Sequence, residues 1–189
     1  VFIVLVTLLI LYIVYENHTR NKELLKYAQT DALTGLYNKE TTEQLTDELL
    51  SEDENKYHAF LILDVDCFKQ INDIYGHAVG DIVLQKFGKL LKGTFREGDI
   101  LGRIGGDEFG VIMKNIQTKD IAMKKAEELL AKTQAYKIDE LKGNNISISI
   151  GISTAPQDGD CYMDLYKRAD QALYQAKRSG KARVCNYFS

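Results

Sequence analysis

The chain has 189 residues, 45% of them hydrophobic and 27% charged, with a net charge of −3, enough for one globular domain with a sizeable core and some excess. Its basic residues are spread along the chain, so no basic face of the kind that holds polymeric nucleic acid is expected. Three cysteines (Cys67, Cys161, Cys185) and three histidines (His18, His58, His77) are too scattered for a disulfide framework, a zinc site or a nucleophile–histidine pair.

The excess lies at the start, where "VFIVLVTLLILYIVY" (1–15) carries no charge. As a helix it rises only ~22 Å against the ~30 Å hydrocarbon core of a bilayer, and it reads as the end of a truncated transmembrane helix. A signal-peptide core would need a basic flank and an A-x-A-like site, and neither is present; the buried helix of a soluble domain is the other alternative. Arg20, Lys22 and Lys26 follow the run, which by the positive-inside tendency places the rest of the chain on the cytoplasmic side of an inner membrane. Residues 16–30 are good helix formers with Leu24, Leu25 and Ala28 on one face, a linker helix placed to carry a signal. The main domain then occupies 31–189.

Within it, "AFLILDVD" (59–66) predicts a strand buried on both faces whose acidic end meets a site. Val83, Phe87, Leu90 and Leu91 give residues 83–95 a helical period. "ILGRI" and "FGVIM" flank a glycine pair and predict a hairpin, followed by a helix over 118–135. "ISISIGIST" (146–154) alternates as a strand. Tyr162, Leu165, Tyr166, Ala169, Ala172, Leu173 and Ala176 then mark an amphipathic helix that Gly180 can cap, before a short final strand in "RVCNYF". This order predicts an α/β sandwich, with helices flanking a mostly antiparallel central sheet and a helix leading into it.

Acids recur at the predicted strand ends. Asp64 and Asp66, two apart on a strand, project to one face, where paired carboxylates suit a hard divalent cation. Asp107 and Glu108 are adjacent, point to opposite faces and should not share one task. One acid from the hairpin and one from the 59–66 strand would make a Mg²⁺ site of the kind used in nucleotidyl transfer. Gly105 and Gly106, free to take positive φ, would let a polyphosphate or a base lie against the backbone. The plainer alternative is an exposed Gly-Gly-Asp turn.

"GGDEF" (105–109) resembles the signature of the GGDEF family of diguanylate cyclases, and the resemblance extends over Thr30 to Asn186. "DALTGLYNK" (31–39) is similar to that family's opening motif, with Lys39 where Arg is more usual. "DVDCFKQINDIYGHAVGD" (64–81) is similar to its nucleotide-binding stretch, and "RADQALYQAKRSGK" (168–181) to its C-terminal phosphate-binding helix, with Ala182 in place of a frequent Asn. The resemblance implies a fold like that of nucleotidyl cyclases and polymerase palms. It implies that Asp64, the Val65 carbonyl and Asp107 hold Mg²⁺, with Mn²⁺ as the alternative ion, and that Glu108 assists at the metal or contacts guanine. Asp66 becomes a weaker ligand candidate than Asp64. Asn72 and Asp81 would bind the guanine edge, a buried Asp81 carboxylate favouring GTP over ATP. Phe68 and Lys69 would meet phosphate, as would Lys177 and Lys181, whose alternative role is that of a solvated helix end. "REGD" (96–99) is similar to the family's inhibitory site, with Arg96 and Asp99 binding the product cyclic di-GMP. The expected reaction joins two GTP into cyclic di-GMP and two pyrophosphates, with one GTP per chain brought face to face in a two-fold homodimer. The alternatives are a non-catalytic GTP or cyclic di-GMP receptor of the same fold, a related cyclase with a different product, and a membrane-tethered dimerisation module.

Overall fold

A computed structural model of the chain describes residues 11–17, 20, 28–53 and 56–187. Most of the apolar run 1–15 and most of the 16–30 linker lie outside these residues. No helix among the described residues is long and apolar enough to cross a membrane.

The elements in chain order are α1 (Lys39–Glu52), β1 (His58–Val65), α2 (Phe68–Tyr75), α3 (His77–Thr94), β2 (Ile100–Arg103), β3 (Glu108–Met113), α4 (Lys119–Ala135), β4 (Ile148–Ala155), α5 (Tyr162–Arg178) and β5 (Val184–Asn186), with a short 3₁₀ turn at Asp139–Leu141. The sheet has the order β2-β3-β1-β4-β5, antiparallel except for β4 and β5. The expected α/β architecture with a mostly antiparallel sheet is therefore present. Two helices escape the sequence pattern, α1 and α2.

β1 is the central strand and shows how alternation builds the two halves of the core. Ala59, Leu61, Leu63 and Val65 pack with Val83, Leu84, Phe87 and Leu91 of α3 and Ala122, Ala126 and Leu129 of α4. Phe60 and Ile62 point the other way, into Leu49 and Leu50 of α1 and Leu165, Ala169 and Leu173 of α5. β3 alternates in the same sense, with Phe109 and Val111 toward α3 and Ile112 toward α5. The even positions of both strands thus belong to the α5 face. Asp64 and Glu108, directly opposite each other in the register, lie at the end of that row.

The last helix is fixed at both levels. Ala169, Ala172 and Ala176 are fully buried small residues that bring α5 close to the sheet over Gly151. Its end is a Schellman motif, as the sequence predicts. Gly180 takes φ +112°, its N–H reaches the Lys177 carbonyl, and the Lys181 N–H reaches that of Ala176.

Candidate active site

Two acids of one short sequence run have different partners. The Asp64 carboxylate accepts a hydrogen bond from Lys177 Nζ at 2.7 Å, and its side chain is only 11% exposed. β1 ends at Val65, so Asp66 lies just beyond the strand. Its carboxylate is filled by three donors: Ser147 Oγ at 2.5 Å, Ser149 Oγ at 2.7 Å and the Ala182 N–H at 3.1 Å. A carboxylate so occupied fastens the segment following α5 to the end of β1 and has little left to offer a ligand.

Asp107 stands at the end of the turn between β2 and β3. Its carbonyl accepts the Val65 N–H at 3.2 Å, which ties the turn to the end of β1. Glu108 begins β3, half-buried and across from Asp64. Neither Gly105 nor Gly106 has positive φ, so the conformational freedom expected of them is not used. The closer constraint at Gly105 is space: a Cβ there would come within 2.8 Å of Glu108 Oε2 and 3.1 Å of its Cβ, so the Glu108 side chain would have to shift, while a Cβ on Gly106 would meet nothing within 4 Å. One glycine accommodates Glu108 and the other leaves open room beside the turn.

Burial pushes the pKa of both acids above the ordinary carboxylate range. At Asp64 the Lys177 ammonium opposes this, while the Asp107 and Asp66 charges add to it. At Glu108 the Asp64 charge adds most after burial, with Lys177 again opposing. The native chain therefore keeps protons that the unfolded chain has released, and stability falls as pH rises from the ordinary carboxylate values through the raised ones. Above that window the cost stays constant. Glu108→Gln should accordingly raise the melting temperature of the nucleotide-free chain at pH 7 by on the order of a few degrees. Thermal melts near pH 4, where both forms are close to neutral, should show the gain shrinking; an unchanged or lower melting temperature at pH 7 would contradict this electrostatic reading.

The donor set suits a hard cation, since Asp64, Asp107 and Glu108 offer only oxygen, and the Asp107 charge adds to the raised pKa of both Asp64 and Glu108. It is not closed into a cage: among the described residues, the one trio of His, Cys, Asp or Glu whose ligand atoms converge within 4.8 Å is Asp160, Cys161 and Asp164 at the start of α5. Lys177 holds the position next to Asp64.

Phe68 opens α2 and packs on the α3 side of the core, and Lys69 is exposed beside it. α2 starts after Cys67, held at φ 58°, and is separated from α3 by Gly76 at φ 85°. Asn72 lies in α2 with its Oδ1 buried and without a hydrogen-bond partner. It presses on Gly80, where a Cβ would fall 2.0 Å from that oxygen. Asp81, expected to be a buried acceptor, is exposed, because it lies on the outer face of α3. Lys181, at φ 62°, places Nζ 3.2 Å from Cys67 Sγ. An open groove of about 890 Å³ along α5 takes in Asp170, Tyr174, Lys177 and Arg178; its described lining includes none of Asp64, Asp107 and Asn72, so groove and acids meet at Lys177.

Arg96 and Asp99 form a separate cluster. Arg96 Nε donates to Asp99 Oδ1 at 3.0 Å, the guanidinium also bonds the Lys114 carbonyl, and Asp99 Oδ1 accepts the Lys114 N–H at 3.1 Å. The Asp99 side chain is 4% exposed and that of Arg96 60%. Both border a groove of about 650 Å³ with Phe95, Met113 and Ile121.

Three supporting residues, Arg103, Asp31 and Gly80, carry no functional signal of their own in the sequence. Arg103 clamps the turn, donating from Nε and Nη2 to the Gly106 carbonyl at 3.1 and 2.6 Å, and from Nη1 to both oxygens of Asp31 at 3.2 Å. Burial raises the pKa of Asp31, but bonds from Thr34 and the Arg103 charge outweigh it and hold the carboxyl below its usual range. Gly80 makes room for Asn72. The signal for each was its position inside a quoted motif; the contact itself spans 72 residues for Arg103 and Asp31.

Residues 28–183 match the family described as "Diguanylate cyclase, GGDEF domain". Diguanylate cyclase A of Treponema denticola is 37% identical over 170 residues, 87% of this chain and 46% of that protein. The response regulator PleD of Caulobacter vibrioides is 37% identical over 177 residues, 90% of this chain and 39% of its own length. The chain thus spans about half or less of these curated relatives. Among solved structures, the GGDEF domain of TpbB from Pseudomonas aeruginosa superposes with a TM-score of 0.78 at 32% identity, covering 82% of this chain and 99% of that one. The coiled coil and GGDEF domain of DgcB from Caulobacter crescentus, in complex with c-di-GMP, gives a TM-score of 0.83 at 25% identity, covering 92% and 93%. With most of its length matched by the family and its relatives named as diguanylate cyclases, the chain belongs to the GGDEF family of diguanylate cyclase domains.

Proposed function

We propose that the chain condenses two GTP into cyclic di-GMP and two pyrophosphates, working as a two-fold dimer with one GTP on each copy. The observation that carries this reading is the placement of Asp64 and Glu108 opposite each other at one sheet end, with Asp107 in the adjoining turn and Lys177 2.7 Å from Asp64. In each half-reaction a 3′-oxygen bonds to the α-phosphorus of the other GTP, the bond from that phosphorus to the bridging oxygen breaks, and pyrophosphate leaves. Asp64, Asp107 and the Val65 carbonyl would hold Mg²⁺ or Mn²⁺, which when bound supplies positive charge at the triphosphate. Glu108, with its pKa raised by burial and neighbouring charge, is suited to accept the 3′-hydroxyl proton. Lys177 and Lys181 neutralise phosphate, Phe68 and Lys69 flank it at the start of α2, and Asn72 and Asp81 read guanine. The unpartnered Asn72 Oδ1 supports the first half of that pair; the exposed Asp81 would become an enclosed acceptor only with a base against it. The uncharged run 1–15 supports attachment to the inner membrane, with 16–30 as the linker and the catalytic domain in the cytoplasm.

Turnover separates this reading from a receptor. With GTP and Mg²⁺ the purified chain should release pyrophosphate, with a rate per chain that falls once dilution takes it from dimer to monomer, and ATP should give little. GTP binding without pyrophosphate release selects the receptor reading; full turnover per chain at dilutions where sedimentation shows only monomer contradicts the dimer. Arg96 and Asp99 are proposed as a product site, supported by the exposed guanidinium at the rim of a groove. Arg96→Ala should leave the initial rate within about twofold and remove the slowing caused by added cyclic di-GMP; unchanged slowing would count against the site.

A further inference from the structure

We propose that Lys177 is an exchangeable place-holder on Asp64, so that the divalent cation enters the site with the nucleotide and not ahead of it. The inference rests on the function proposed above. Lys177 Nζ lies 2.7 Å from Asp64 Oδ2, and the carboxylate is nearly closed off from solvent. A Mg²⁺ ion on the same oxygens would sit at about 2.0–2.1 Å, and an ammonium and a dication crowded onto one buried carboxylate repel each other. Without a nucleotide, the ammonium is the better-placed cation.

The exchange needs only a side chain to move. Asp66 holds the segment just after α5 through the Ala182 N–H and is itself braced by Ser147 and Ser149. The Schellman turn at Gly180 closes the helix independently of the Lys177 side chain. Four methylenes can therefore swing the ammonium from carboxylate to phosphate while the backbone stays in place. Asp66, with three donors already bound, offers the ammonium no alternative partner. With a metal–triphosphate bound, Asp64 would be left to hold the dication and the Lys177 ammonium would pair with a phosphate oxygen, so both charges stay paired.

Mn²⁺ binding by the purified chain, followed by electron paramagnetic resonance, tests this. Lys177→Gln should tighten nucleotide-free Mn²⁺ binding by about tenfold, and Lys177→Arg, which keeps the charge, should bind Mn²⁺ like the parent. Adding Asp64→Asn to Lys177→Gln should abolish the gain, which places it at Asp64. With 3′-deoxy-GTP, which lacks the attacking hydroxyl, Lys177→Gln should instead weaken nucleotide binding by about tenfold. Nucleotide-free Mn²⁺ affinity that is unchanged or lower in Lys177→Gln, with the parent still binding 3′-deoxy-GTP, overturns the exchange alone. Failure of the parent to bind 3′-deoxy-GTP overturns the underlying function instead.

Discussion

On the function proposed above, Asp64→Asn should lower dinucleotide formation from GTP by at least about 10³-fold, an effect on the order of 4 kcal/mol in the barrier, while leaving the fold intact. The loss follows from position. Asp64 is the last α5-facing residue of the central strand, across from Glu108 and beside Lys177, so no neighbouring carboxylate can take over its place. Asp66 is committed to Ser147, Ser149 and Ala182. The fold survives because the Asp64 charge is costly in the empty site: burial has raised its pKa despite the Lys177 contact. An Asn oxygen still accepts from Lys177, so the melting temperature should move by no more than about 2–4 °C. Product formation and a thermal melt on one preparation decide the matter. Activity within about tenfold of the parent, or loss of activity together with unfolding, contradicts the assignment.

Gly151→Ala has the largest expected effect on stability. Gly151 lies in β4 between Ile62 of β1 and Cys185 of β5, and α5 crosses directly over it. A Cβ there would fall 2.1 Å from the Ala169 carbonyl oxygen and 2.4 Å from the Leu173 nitrogen. Both are backbone atoms of one helix, so no rotamer change relieves the clash and α5 must lift from the sheet. That movement loosens the contacts of Leu165, Ala169 and Leu173 with Phe60 and Ile62, and it carries Lys177 away from Asp64. We expect a loss of about 3 kcal/mol or more, or roughly 6–12 °C in melting temperature. Gly93→Ala is the matched contrast. Gly93 is inside α3 with nothing within 4 Å of an added Cβ, and the change should stabilise by about 0.5–1 kcal/mol. Denaturant midpoints that fail to separate the two variants would overturn the packing argument.

Elements with a strong period were legible in the sequence. "AFLILDVD" gave the central strand and α5 announced itself through seven apolar positions. α1 stayed hidden because three of its buried residues are threonines, Thr41, Thr42 and Thr46. Those of Thr42 and Thr46 satisfy their hydroxyls on backbone carbonyls four residues back, so a buried face reads as polar. α2 has no fully buried residue and is bounded by non-periodic features, Cys67 at positive φ and Gly76.

At the site, the sequence could name the acids but not their partners. Asp64 and Asp66 are two apart, yet the strand stops between them and sends one to Lys177, 113 residues away, and the other to Ser147, just before β4, and Ser149 within it. Lys177 reads as a solvated helix end until α5 is seen lying along the α5-facing row of β1. The sequence points to Gly105 through its freedom of φ, whereas in the structure the tighter constraint there is the Glu108 side chain. A base-binding role for Asp81 implies a buried acceptor, whereas its position on α3 turns it outward.

The most direct measurement is the mass of the product formed when the purified chain is given GTP and Mg²⁺. The account predicts a cyclic dinucleotide of two guanylates with two pyrophosphates released for each, and no such product from the Asp64→Asn or Asp107→Ala chain. GTP left unconverted, hydrolysis to GDP or GMP alone, or an equal yield of dinucleotide from Asp107→Ala would contradict it.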